Sequence, residues 1–143
     1  MIRKFEPRDI EPVMQIWLSG NLQAHSFVPA AYWEQNVPLV RKQLLQAEVY
    51  VYEAEGGIQG FAGLQADYLA GIFVKQSCRS KGIGHQLLAH VKQLHPSLTL
   101  NVYQKNRRAA AFYRREGFSL VSEATDEATG EIDCIMRWRA GQS

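Results

Sequence analysis

Two short stretches of the chain hold residues whose types and spacing suit them to chemistry. The first, Ile72-Phe73-Val74-Lys75-Gln76-Ser77-Cys78-Arg79-Ser80-Lys81-Gly82-Ile83-Gly84-His85, carries an apolar strand through a polar turn into an amphipathic helix. Unpaired backbone N–H groups and the positive end of the helix dipole gather where such a helix starts, and Gly82 and Gly84 remove side chains that would block close approach. A phosphate or pyrophosphate would fit there, although an ordinary glycine turn reads equally well from this stretch alone. The pattern is not a Walker loop, because Gly82-Ile83-Gly84 is not followed by Lys-Ser/Thr, and Leu87 stands where a dinucleotide fingerprint needs its third glycine. The second stretch is Asn106-Arg107-Arg108-Ala109-Ala110-Ala111-Phe112-Tyr113, followed by Arg114-Arg115-Glu116-Gly117-Phe118. Asn106, Ala109 and Tyr113 share one helical stripe and so present an amide, a gap and a phenol, a pattern that a core helix with a half-buried tyrosine would also give.

The elements that must position these residues follow from periodicity and breakers. Ile2–Phe5 reads as a short strand, and a helix beginning after Pro7 and Asp9 carries Ile10, Val13, Met14, Trp17 and Leu18 to a stop at Gly20. A loop with His25, Phe27 and Pro29 leads to a helix over Ala30–Ala47, interrupted near Pro38. Val49–Glu53 and Ile58–Leu64 flank the turn Glu55-Gly56-Gly57 as a hairpin, and Tyr68–Val74 is the third consecutive strand. The helix from about Gly82 to Leu94 has Ile83, Leu87, Leu88, Val91 and Leu94 on one face, stopped by Pro96 two residues on. Leu98–Tyr103 is a strand, Asn106–Arg115 a helix ended by Gly117, and Phe118–Val121 and Cys134–Trp138 are closing strands around a turn with Thr129-Gly130. The order β-α-α-β-β-β-α-β-α-β-β implies a mixed α/β (α+β) fold with helices on the faces of one sheet.

At 143 residues and 46% hydrophobic content the chain is expected to form one domain over residues 1–143, with only Ala140–Ser143 frayed. The first residues lack the apolar stretch and small-residue cleavage site of a signal peptide, and no apolar run reaches the ~20 residues that span a bilayer, so a cytoplasmic protein without a membrane partner is expected. Cys78 and Cys134 lack CxxC spacing and fit a reducing compartment. A net charge of +2, with 16 Lys and Arg against 14 Asp and Glu, gives no footprint for nucleic acid. Arg107, Arg108, Arg114 and Arg115 point to several sides of a short helix, against a nucleic-acid face. His85, His90 and His95 recur every five residues and spread around a helix, so no metal is expected.

Together, Arg79-x-x-Gly82-x-Gly84 after Ile72–Val74 and Asn106-x-x-Ala109-x-x-x-Tyr113 downstream resemble the two signature segments of the GNAT acetyltransferases. The resemblance implies a mostly antiparallel mixed sheet of about seven strands with four helices. It also implies acetyl-CoA as co-substrate, its pyrophosphate on the backbone from Arg79 through Ser80, Lys81, Gly82, Ile83 and Gly84 to His85. The pantetheine arm would pair with Ile72, Phe73 and Val74, bond Asn106, pass over Ala109 and run beside Phe112 and Tyr113. Tyr113 would protonate the departing thiolate, because a phenol of pKa ~10 is still protonated where a thiol of pKa ~8.5 needs help to leave.

The second substrate is expected to be a primary amine, of a protein or a small molecule, in direct transfer. A neutral amine needs a proton acceptor, and where some relatives carry Glu this sequence has Asn101. His25, Phe27, Glu53, Tyr68 and Asn101 are the acceptor-side candidates, with Tyr32 and Trp33 as further aromatic wall. The absent carboxylate motivates an alternative, an acyl-CoA-binding sensor that does not turn over. The closing strands allow either a monomer or a homodimer.

Overall fold

Burial alternates along Ser97–Tyr103 and recurs at helical spacing along the helix over Ile83–Leu94, and the sheet with helices on both faces makes three layers. The computed structural model describes residues 1–141. Its elements are β1 (Ile2–Lys4), α1 (Ile10–Ala24), α2 (Ala30–Gln46), β2 (Glu48–Ala54), β3 (Gly57–Gln65), β4 (Tyr68–Val74), α3 (Ile83–Leu94), β5 (Ser97–Tyr103), α4 (Arg107–Arg115), β6 (Ser119–Thr125) and β7 (Ile132–Arg139). This is the order read from the sequence. In β5, Leu98, Leu100 and Val102 turn inward with Leu87, Leu88 and Val91 of α3 and Met136 of β7. On the other face, Val13, Ile16 and Trp17 of α1 and Leu44 of α2 close over Val49, Val51 and Phe61. Each face buries enough aliphatic and aromatic surface to hold its helices, at about 1.5–3 kcal/mol per fully buried side chain.

The seven strands form one sheet in the order β1-β2-β3-β4-β5-β7-β6. Neighbours are antiparallel except β4 and β5, which run parallel and pair only at Tyr68 with Thr99. Past that point the two strands part. The remainder of β4, through Ile72 to Val74, keeps β3 on one side and has no strand partner on the other. The sheet therefore opens as a wedge at the carboxyl ends of its central strands.

Three local expectations are corrected. Helix α1 does not stop at Gly20 but runs to Ala24; a Cβ at Gly20 would stand 3.3 Å from the Phe73 ring, so the glycine serves close packing of α1 on β4. Helix α2 is continuous through Pro38, because the carbonyl that proline leaves unpaired, four residues back, belongs to the exposed Glu34. Ala140 is tied down, its N–H donating to the Pro96 carbonyl at 2.8 Å, while Gln142 and Ser143 of the segment expected to fray lie outside the described residues.

Candidate active site

The wedge between β4 and β5 continues into a cleft of about 810 Å³ bordered by α1, α3 and α4. Ile72, Phe73, Val74, Arg79, Ser80, Gly82, Ile83, Gly84, His85, Asn106, Ala109, Phe112 and Tyr113 all line it, whereas Lys81 is exposed outside it. Gly82 caps α3 with φ of 79°, a left-handed conformation that glycine takes without strain. The Gln86 N–H donates to the Gly82 carbonyl at 3.0 Å, so the N–H groups ahead of it have no partner within the helix and border the cleft. A Cβ on Gly84 would lie 3.4 Å from the Phe112 ring, so glycine keeps the passage between α3 and α4 clear.

Arginine is concentrated here. Burial lowers the pKa of Arg79, and the like charge of Arg108 lowers it further. An anion between the two guanidiniums relieves that repulsion. Arg107 and Arg115 line the same cleft, so three of the four α4 arginines border one space rather than scattering. Cys78 also lines it, its Sγ 3.7 Å from Ser77 Oγ.

Tyr113 is only 7% exposed and packs edge-on against Phe112 and Phe118, with ring centroids 5.2 and 5.4 Å away. Burial pushes its phenol well above the ordinary tyrosine range, against the pull of a hydrogen bond from the Ile72 backbone. At neutral pH the phenol is protonated and lies against the unpaired stretch of β4.

Asn106 and His25 meet at the edge of the cleft. Asn106 caps α4, its Oδ1 accepting from the Ala109 N–H at 3.2 Å, while its Nδ2 meets His25 Nε2 at 3.0 Å. His25 Nδ1 in turn lies 3.0 Å from Asn21 Oδ1, and Asn21 Nδ2 donates to the Trp17 carbonyl at 2.9 Å. This assigns a neutral imidazole that donates from Nδ1 and accepts at Nε2. The ring stacks on Trp33 at 5.2 Å with Phe27 and Tyr103 edge-on, and burial pulls its pKa down to about 4. His25 therefore lines the cleft with both nitrogens occupied, and is not a free base on the acceptor side.

On the face of the sheet toward α1 and α2, Tyr68 donates to Asn101 Oδ1 at 2.9 Å, and Asn101 Nδ2 donates to Asp133 Oδ2 at 2.6 Å. Tyr68 and Asn101 are exposed and Asp133 half-buried. Burial lifts the Asp133 carboxyl above its ordinary value, the Asn101 hydrogen bond opposes this, and Asp126 adds to it. Asp133 went unnoticed in the sequence because nothing in Ile132-Asp133-Cys134 sets it apart; only the pairing of β5 with β7 brings it to Asn101. Nearby, Tyr103 donates to Asp126 at 3.0 Å. A smaller cavity of about 310 Å³, lined by Trp17, Leu44, Phe61, Tyr68 and Gly71, shares Phe73 with the cleft. Glu53 is not brought to either space: at the end of β2 its carboxylate is held by Arg3 at 3.0 Å, and Arg3 also pairs with the buried Asp9 at 2.8 Å. Among the described residues, no three His, Cys, Asp or Glu side chains gather as a metal-ligand set, and no helix is long and apolar enough to cross a membrane.

Comparison with known proteins agrees with this geometry. A family model described as an acetyltransferase (GNAT) domain matches residues 46–120. The peptidyl-lysine N-acetyltransferase YiaC of Escherichia coli is 36% identical over 145 aligned positions, covering 100% of this chain and 99% of YiaC. The solution structure of apo YjaB from Escherichia coli superposes with a TM-score of 0.86 at 26% identity, covering 99% of this chain and 98% of that one. The fold is also that of yncA from Salmonella typhimurium, solved with acetyl-CoA, at a TM-score of 0.68 and 15% identity over 100% of this chain and 95% of that one. With the glycine-capped helix, the opened strands and the buried tyrosine in one cleft, and with relatives spanning its whole length, the chain belongs to the GNAT family of acetyltransferases.

Proposed function

We propose that the protein acetylates primary amines, lysine side chains of proteins foremost, by direct transfer from acetyl-CoA with Tyr113 as the general acid. The observation that carries this reading is the place of Tyr113: a buried, protonated phenol against the Ile72 backbone, at the point where β4 loses its strand partner. Acetyl-CoA supplies an activated acetyl thioester. The free first-turn N–H groups of α3, with Arg79 and Arg108, hold its phosphates. The open edge of β4 from Ile72 to Val74 offers its backbone groups to the amide-bearing arm as another strand would. Tyr113 then gives its proton to sulfur as the C–S bond breaks. Lysine is favoured as acceptor because YiaC and YjaB are both named peptidyl-lysine N-acetyltransferases.

The test is thiol release from acetyl-CoA by wild type and Tyr113→Phe, offered lysine peptides, N-terminal peptides and small polyamines. Amine-dependent release by wild type is expected, with kcat reduced about 10²-fold or more in the variant and acetyl-CoA affinity nearly unchanged. Tight acetyl-CoA binding without release to any amine would instead identify an acyl-CoA sensor.

A further inference from the structure

Acetyl transfer to an ammonium group requires a proton acceptor, and neither His25 nor Glu53 is free to be one. His25 has both ring nitrogens bound by asparagines, and Glu53 is neutralised by Arg3 away from the cleft. Resting on the acetyltransfer reading above, we propose that Asp133 takes the proton from the acceptor amine at the mouth of the wedge, held in place by Asn101 and Tyr68.

The placement comes from the strand register. Tyr68 and Thr99 form the last pair before β4 and β5 separate, and Asn101 is two residues further along β5 on the same face. Asp133 starts β7 opposite Tyr103, and its carboxylate reaches Asn101 Nδ2 at 2.6 Å. Because that bond uses one oxygen, the other remains available to an amine or to a water that bridges to it. Tyr68 links the two ends of the site: its phenol is near enough to Asp133 and to Tyr113 to raise the pKa of Tyr68 and Tyr113 respectively. The Tyr68–Asn101–Asp133 chain thus crosses from β7 over β5 to β4, the strand whose Ile72 backbone meets the Tyr113 phenol.

The step balances. An N–H bond of the ammonium breaks and its proton goes to the Asp133 carboxylate; the freed lone pair forms the C–N bond to the acetyl carbon. The C–S bond breaks and sulfur takes the proton of Tyr113. As the adduct collapses, its nitrogen releases a second N–H proton, which passes through water to the Tyr113 phenolate, and Asp133 gives its proton to bulk solvent. The groups that face Asp133 are Tyr68 from β4, Asn101 and Tyr103 from β5, and Asp126 from the turn after β6. Arg137, further along β7, leans on Thr99 at 3.5 Å, and Lys105 is paired with Glu131 at 3.0 Å. Among the described residues no cation pairs with Asp133, and burial and Asp126 both make it a better proton acceptor.

The experiment compares wild type, Asp133→Asn and Asp133→Glu on a lysine peptide across pH, with acetyl-CoA binding measured separately and the Asp133 carboxyl titrated by ¹³C NMR in the wild type. Asn at this position still offers an oxygen to Asn101, so a positioning role would survive the change. The proposal expects a rate about 10²-fold or more below wild type near pH 7, climbing with pH toward the amine's own pKa of ~10.4, where less deprotonation is needed. It also expects unchanged acetyl-CoA binding, partial recovery in Asp133→Glu, and an NMR titration above the usual carboxylate range. A wild-type rate in Asp133→Asn, or a loss of equal size at every pH, would overturn it. Wild type that releases no thiol to any amine would overturn acetyl transfer itself, an outcome distinct from a working enzyme indifferent to Asp133.

Discussion

His25 commits both ring nitrogens to asparagines, one on α1 and one at the cap of α4, and so ties α1 to the start of α4 at the edge of the cleft. Removing it leaves the Asn106 amide without its partner and the start of α4 less well held. His25→Ala is expected to raise the KM for acetyl-CoA several-fold with a smaller change in kcat, the pattern of lost binding rather than lost chemistry. The ring also carries a pH signature. Its folded pKa of about 4 lies below the unfolded value of ~6.5, so the stability it contributes is complete above pH ~6.5 and is lost as pH falls toward 4. Urea midpoints of wild type and His25→Gln should therefore diverge most near neutrality and converge in acid. Tyr113, Gly82 and Gly84 were legible in the sequence because each sits within a few residues of its motif partners. His25 meets Asn106 across 81 residues and Asn101 meets Asp133 across 32, separations over which local spacing carries no signal.

At the scale of elements, order and type were readable because apolar spacing switches cleanly between the strand and helix periods. The errors came where a residue known for breaking helices was used for something else. Gly20 allows α1 to approach Phe73, and Pro38 sits on an α2 turn whose unpaired carbonyl faces outward. Both depend on what lies across the interface, which a local pattern does not contain. Gly84 is the element-scale feature with the most direct functional reach, since a Cβ there would already touch the Phe112 ring of α4 at 3.4 Å and anything longer would enter the cleft. Gly84→Ala should be tolerated. Gly84→Leu should project into the cleft and weaken acetyl-CoA binding at least about tenfold, or ~1.4 kcal/mol, while circular dichroism still reports a folded protein.

For the whole molecule, the decisive property is a sheet held together at its centre by one short parallel contact and open beyond it. Strands β1 to β4 carry the α1–α2 layer, β5 to β7 carry the Asp133 hairpin, and α3 and α4 pack beneath the junction. The resemblance in Ile72–Phe118 pointed to this architecture and to the cleft that follows from it. The contacts of Asp133 with Asn101 and of Phe27 and Trp33 with Tyr103 were less readable, since they form only through the tertiary fold. The most direct test of acetyl transfer is mass spectrometry of a lysine peptide incubated with the protein and acetyl-CoA. One acetyl group on the lysine side-chain nitrogen is expected, formed catalytically and in step with CoA release. A peptide left unmodified while acetyl-CoA binds tightly and stays intact would contradict it.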